Sequence, residues 1–154
     1  MEDDTPSNVL FELWRAARHA GSLTSPTLSE AGLSPDEFGV YSLLARGWPL
    51  TPSDLEHWTG APATTVSSQL KRLEARGHLT RRADPDDRRS WLLELSPSGR
   101  AAHAAATDRY RALLDAVVGH LGDKEPAVQA ALVDLREAIA AARSHPPASS
   151  PEAI

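Results

Sequence analysis

The chain is 154 residues long, 41% hydrophobic and 24% charged, proportions that fit one ordinary globular domain around a single core. It holds no cysteine, which excludes disulfide frameworks, thiolate metal sites and thiol-based oxidant sensing. The net charge of −5 hides an asymmetry: Lys71, Arg72, Arg76, Arg81, Arg82, Arg88, Arg89 and Arg100 outnumber Glu74, Asp84, Asp86, Asp87 and Glu94, so that stretch is +3 and the remainder −8. Such a stretch is either one nucleic-acid-facing surface or a solvated charged face.

Residues 1–7 are rich in acidic side chains, Pro and Ser, and 144–154 in Ser, Pro and Ala; both are too poor in large apolar groups to offset the entropy of ordering, so both ends are expected to be disordered. No apolar segment follows the acidic start and no run of about 18 apolar residues occurs, which points to a cytoplasmic protein with no membrane partner. From Asn8 to Ala20, Val9, Leu10, Leu13, Trp14 and Ala17 recur at helical spacing, predicting an amphipathic helix that ends at Gly21. Ser22 to Gly32 reads as a connection with a short helical turn at Thr27 to Ala31.

Ser34-Pro35-Asp36-Glu37 joins a capping serine, a proline at the first helical position and a glutamate three after the cap, so a helix is expected there with Phe38, Tyr41, Leu44 and Ala45 buried. Thr51-Pro52-Ser53-Asp54 repeats the signal for a short helix closed by Gly60, and Leu50 before it can begin a small strand. Pro62 to Arg76 predicts a further helix on Val66, Leu70 and Leu73, stopped by Gly77. Its outward face is expected to carry Thr64, Thr65, Ser67, Ser68, Gln69, Lys71 and Arg72, small donors and acceptors followed by cations, a set suited to a major groove.

His78 to Arg82 and Ser90 to Leu95 read as two strands joined by the turn Ala83 to Arg89, a β-wing directly after a helix-turn-helix. Ser96-Pro97 opens a long helix with Tyr110, Leu113, Leu114, Val117, Val118 and Leu121 on one face, and Val128, Leu132, Leu135 and Ile139 repeat that pattern after Gly122 to Pro126. These stripes exceed what a small winged helix can cover. Pairing with a second copy, or folding back as an intramolecular hairpin, would bury them. The organisation expected is therefore mainly α with a small β-wing: an N-terminal dimerisation helix and connection over 8–32, a winged helix-turn-helix over 33–96, and C-terminal dimerisation helices over 97–143.

From Leu33 to Ala101 the residues resemble the MarR (multiple antibiotic resistance regulator) family, in order and without large gaps. Leu33-Ser34-Pro35-Asp36-Glu37-Phe38 resembles its second helix, Leu50-Thr51-Pro52-Ser53-Asp54-Leu55 its first helix-turn-helix element, and Thr65-Val66-Ser67 with Leu70 and Leu73-Glu74-Ala75-Arg76-Gly77 its recognition helix. Arg82-Ala83-Asp84-Pro85-Asp86-Asp87-Arg88-Arg89 and Leu93-Glu94-Leu95-Ser96-Pro97-Ser98-Gly99-Arg100 resemble the wing and the following helix. The resemblance implies a homodimeric DNA-binding transcriptional regulator, by default a repressor, on palindromic double-stranded operator DNA.

Resemblance and physics together place Ala63, Thr64, Thr65, Ser68 and Gln69 at base edges, and Ser67, Lys71, Arg72, Thr51 and Ser53 at phosphates. Asp87 is expected to brace the wing while Arg88 or Arg89 enters the minor groove; the family's pattern favours Arg89, and a surface salt bridge to Asp84 or Asp86 is the alternative. The resemblance also suggests a small-molecule effector pocket, for which Trp14, Arg15, Arg18, His19, Phe38 and Tyr41 supply aromatic walls and cations suited to an aromatic or carboxylate ligand; Trp14 as plain core is the competing reading. The six histidines fall in no ligand spacing, and neither a nucleophile elbow nor a phosphate-cradling glycine loop occurs, so no catalysis, metal or cofactor is expected. The rival reading is a winged-helix module for protein contacts without ligand control.

Overall fold

The structure, a computed structural model, describes residues 8–87 and 89–144. The ends 1–7 and 145–154, expected to be disordered, and Arg88 lie outside the described residues. The chain divides into two compact units between Leu114 and Asp115.

Helix α1 (Val9–Glu30) starts where Asn8 accepts the N–H groups of Leu10 and Phe11 at 3.1 and 3.0 Å. It does not end at Gly21 as expected but runs through Gly21 and Pro26. A glycine costs a helix only about 1 kcal/mol. Burying Leu28, which is 1% exposed, contributes about 1.5–3 kcal/mol and draws the last turns onto the core.

Helices α2 (Pro35–Leu44) and α3 (Pro52–Thr59) both open with complete capping boxes, Ser34 with Glu37 and Thr51 with Asp54. The buried side of α2 is Glu37, Val40, Tyr41 and Leu44, while Phe38 is half-buried and Ala45 exposed. Gly60 ends α3 at φ +68°, in the left-handed region that glycine enters without a Cβ clash. The next helix, α4 (Ala63–Ala75), buries Val66, Gln69, Leu70 and Leu73.

Strands β1 (Leu79–Ala83) and β2 (Trp91–Leu95) pair antiparallel, with Leu79 opposite Leu95 and Ala83 opposite Trp91. Leu50, which could begin a small strand, forms a single isolated bridge to Leu93, exchanging backbone hydrogen bonds at 3.3 and 2.7 Å. Ser96 Oγ caps α5 (Pro97–Leu121) by accepting from Gly99 N–H at 3.0 Å. The Ser96 N–H in turn donates to the His78 carbonyl at 3.0 Å. A Cβ on Gly99 would collide with that carbonyl, so only glycine lets α5 leave the wing here.

The core draws on all three segments read as 8–32, 33–96 and 97–143. Leu28 of α1 and Ala106 of α5 belong to one core with Leu55, Leu73, Leu93 and Leu95. The second unit begins inside α5 and continues through a 3-10 turn (Gly122–Lys124) into α6 (Glu125–Ser144), which buries no residue. Ser144, assigned to the tail on sequence, closes that helix.

Candidate nucleic-acid interface

Helix α4 begins without a side-chain cap, because Pro62 stands at the cap position. Its first amide groups are therefore left to other acceptors. Ala63, Thr64, Thr65, Ser67, Ser68 and Lys71 are all exposed, so six of the residues expected to meet DNA share the accessible side of this helix. Gln69 does not join them. It is 6% exposed and its Oε1 has no hydrogen-bond partner, which removes it as a base reader and makes it part of the packed face.

The phosphate candidates also separate. Thr51 spends its hydroxyl on Asp54, donating to Oδ2 at 2.8 Å and accepting from the Asp54 N–H at 3.1 Å, so its role is to start α3. Ser53 in the first turn of that helix is exposed. Arg72 directs Nε to Glu37 Oε1 at 3.2 Å, and Arg76 places Nη2 on the same oxygen at 3.3 Å. The Glu37 carboxyl sits below its ordinary range: burial pushes it up, but the Ser34 N–H and the two guanidinium groups outweigh burial.

In the wing, Asp84 accepts the Asp86 N–H and Asp87 accepts the Arg89 N–H, each at 2.9 Å, so Asp87 braces the turn as expected. Arg81 pairs with Glu74, and Arg82 pairs with Glu94 at 3.1 Å. Among the described residues Lys71, Arg89 and Arg100 make no ion pair, and Arg89 is exposed at the tip. The surface salt bridge weighed against its functional role does not form among these residues.

The effector candidates do not converge. On α1, Trp14 is 59% exposed and stacks on Phe11 at 5.8 Å, Arg15 pairs with Glu12, and Arg18 and His19 are exposed. Trp14 is thus not plain core of this chain. Phe38 packs instead on His103 and Tyr110 of α5, with ring centroids 5.5 and 5.0 Å away. Tyr41 is completely buried with its hydroxyl 2.8 Å from His78 Nδ1, a core residue and not a pocket wall. Among the described residues no group of three His, Asp or Glu could hold a metal, and no helix is long and apolar enough to cross a membrane.

Sequence reasoning saw Glu37 as a cap but missed its hold on α4, because that pairing joins residues 35 apart in sequence. It also missed an exposed patch in which the Arg46 guanidinium lies 5.8 Å from the Trp48 ring and 5.6 Å from the Trp58 ring.

A helix-turn-helix of α3 and α4 followed at once by a two-stranded wing defines the winged helix-turn-helix class. The sequence pattern of the MarR family matches residues 31–90, and that segment belongs to the family. A curated relative, the uncharacterized HTH-type transcriptional regulator YdgJ of Bacillus subtilis (strain 168), is 32% identical over 69 residues, 45% of this chain and 42% of its own length. The chain thus spans less than half of that relative. Among solved structures, the transcriptional regulator MosR of M. tuberculosis in complex with DNA superposes with a TM-score of 0.76 at 27% identity, covering 89% of this chain and 99% of MosR. The transcriptional repressor CouR bound to a 23-mer DNA duplex gives 0.71 at 26% identity, covering 83% and 92%. These neighbours are transcriptional regulators, not enzymes.

Proposed function

We propose that the chain acts as a homodimer on palindromic operator DNA, as a transcriptional repressor released by a small ligand. The observation that carries the reading is the uncapped N-terminal half of α4 with Ala63, Thr64, Thr65, Ser67 and Ser68 exposed, no acidic side chain in its first turn and Lys71 beyond it. Such a surface offers base-edge donors, acceptors and methyl groups without repelling phosphates. Ser53 and Lys71 contact phosphate, and Arg89 enters the minor groove from the braced wing. The DNA complexes of MosR and CouR support the choice of partner.

Dimerisation is supported by apolar side chains left exposed on both units: Val9, Leu10, Trp14 and Leu23 on α1, Val117 and Val118 on α5, and Val128, Leu132 and Val133 on α6. A second copy is the occupant that a symmetric regulator supplies. The ligand part rests on exposed Trp14 beside Arg15, Arg18 and His19, a surface suited to an aromatic carboxylate. Quenching of tryptophan fluorescence by such a carboxylate, with release of DNA, tests it; a panel that produces neither removes it.

Enrichment of duplexes from a random-sequence library is expected to return an inverted repeat whose half-sites lie about one helical turn apart. Affinity for it falls steeply with salt as counterions are released. A protein-contact module would enrich nothing and lack that slope. Arg89→Ala is expected to weaken binding to the enriched duplex by about 1–3 kcal/mol in a gel-shift titration with the oligomeric state unchanged; unaltered affinity removes the wing from the interface.

A further inference from the structure

Glu37 stands at the third position of α2, where its side chain closes the capping box and faces the positive end of the helix dipole. Its two oxygens divide their partners. Oε2 accepts the Ser34 N–H at 2.9 Å, and Oε1 takes Arg72 Nε at 3.2 Å and Arg76 Nη2 at 3.3 Å. Arg72 lies in the last turn of α4 and Arg76 caps its end, so a single carboxylate clasps one side of that helix at two successive levels. The Glu37 side chain is 8% exposed, whereas Arg72 and Arg76 reach it from half-open positions at 53% and 37%. Beside the clasp, the Tyr41 hydroxyl lies 2.8 Å from His78 Nδ1 at the root of the wing.

These contacts grip only the C-terminal half of α4, while the residues offered to DNA occupy its first two turns. Eight residues separate Thr64 from Arg72, about 12 Å at about 1.5 Å per residue. A tilt of about 5° at the grip therefore moves Thr64 by about 1 Å, enough to spoil hydrogen bonds whose useful range spans about 0.5 Å. The first turn of α2 is well fixed to resist such a tilt, because the next residue, Phe38, packs against His103 and Tyr110 of α5.

We propose that Glu37 is the positioning residue of the recognition helix, and that Arg72 and Arg76 serve as its two handles on α4, so that the clasp sets how well the protein tells one duplex sequence from another. Arg72, expected on sequence to neutralise a phosphate, then contributes mainly through Glu37. The inference rests on the DNA-binding reading given above and adds the source of its selectivity.

The test compares wild type, Glu37→Gln and Arg72→Gln on two duplexes, the one enriched from the random library and a scrambled one of equal length, across a salt series, with denaturant unfolding to confirm that each is folded. Glu37→Gln keeps the shape but frees two guanidinium groups. It is expected to lose about tenfold or more on the enriched duplex and to bind the scrambled one as well as before or better, so the ratio of the two affinities collapses. Equal strengthening on both duplexes would mean that the carboxylate only offsets charge, and an unchanged ratio would likewise overturn the proposal. Should Glu37→Gln fail to fold, Arg72→Gln decides: the clasp predicts a loss confined to the enriched duplex with the salt dependence kept, whereas a phosphate contact predicts loss on both duplexes and a salt slope smaller by about one. A wild-type protein that enriches no sequence overturns the DNA-binding reading and this inference with it; a wild type that discriminates beside a Glu37→Gln variant that discriminates equally overturns this inference alone.

Discussion

The two units of this chain both leave apolar side chains exposed, but only the first encloses a core. In the first, Leu55, Leu73 and Leu93 are fully buried and Leu28 and Leu95 are 1% exposed, and even a glutamate and a glutamine are packed away. In the second, which contains α6, Leu132 is 51% exposed and Val128 and Val133 are 37% and 39% exposed, although they sit on a regular helix of 20 residues. Composition does not explain the difference, since both units are rich in Leu, Val and Ala. The first unit draws on several elements whose side chains converge from α1, α2, α3, α4, β2 and α5. The second has two helical pieces and a turn, too few surfaces to enclose a core. An apolar face that its own unit cannot cover is the feature on which the dimer proposed above rests.

Truncating each kind of leucine breaks or sharpens this contrast, and here the effects are largest. Leu93→Ala is expected to cost about 2–5 kcal/mol in denaturant unfolding, through lost burial and the cavity left beneath β2. Leu132→Ala, measured at high dilution where copies are apart, should change stability by less than about 0.5 kcal/mol. At high concentration the same variant should lose the concentration-dependent stabilisation of the wild type. Equal costs at every dilution would mean that Leu132 already has its partner within one chain.

Two glycines on α5 repeat the comparison at a smaller scale. At Gly99 a Cβ would meet the His78 carbonyl, so Gly99→Ala must push the helix start off the root of the wing, at about 1–3 kcal/mol. At Gly119, in the second unit, nothing lies within 4 Å of a new Cβ. Gly119→Ala should therefore stabilise the helix by about 0.5–1 kcal/mol, visible as a higher unfolding midpoint at high dilution. A gain at Gly119 that turns into a loss as the protein is concentrated would place that glycine at a close approach between copies.

Much of the first unit was legible because its signals are local. Both capping boxes, the Gly60 stop, the turn braced by Asp87 and the two wing strands are each written within a few residues, and each formed. The failures are those where distant residues decide. Gly21 and Pro26 look like an end until Leu28 is seen to have a core to enter. Gln69 has the polarity of an outward residue, yet at about 100° per residue it lies only about 40° from Leu73 around the helix, on the edge of the buried stripe. Periodicity there outweighed residue type, and the same reading would have separated Gln69 from the exposed Ser67 and Ser68. The hold of Glu37 on Arg72 and Arg76 has no local signal, since opposite charges far apart in sequence pair in many ways until the fold selects one. Nor did aromatic character alone bring Trp14, Phe38 and Tyr41 together, because the first lies on an exposed helix side and the last in the core.

The smallest effect concerns pH, again on the side of the contrast where groups are packed. His103 stacks on Phe38 and sits 3.1 Å from Ser42 Oγ and 3.4 Å from Thr107 Oγ1. Both hydroxyls already donate to backbone carbonyls, Ser42 to Phe38 and Thr107 to His103, each at 2.8 Å. They can therefore only accept from the imidazole, which fixes the proton on Nε2 and leaves Nδ1 as the atom that would take up a second. Burial opposes that uptake and holds His103 below the ordinary histidine range. The unfolded chain binds the proton first, so the contribution of this group is complete above about pH 6.5 and declines as the pH falls from there toward the lower pKa of the folded state. His103→Gln should accordingly unfold with less pH dependence than wild type when denaturant midpoints at pH 7.5 and 5.5 are compared, about one unit to either side of that value. A variant with the same slope as wild type would show that the packed imidazole takes up its proton as readily folded as unfolded, and the seam between α2 and α5 would then be as open to water as the helices beyond Leu114.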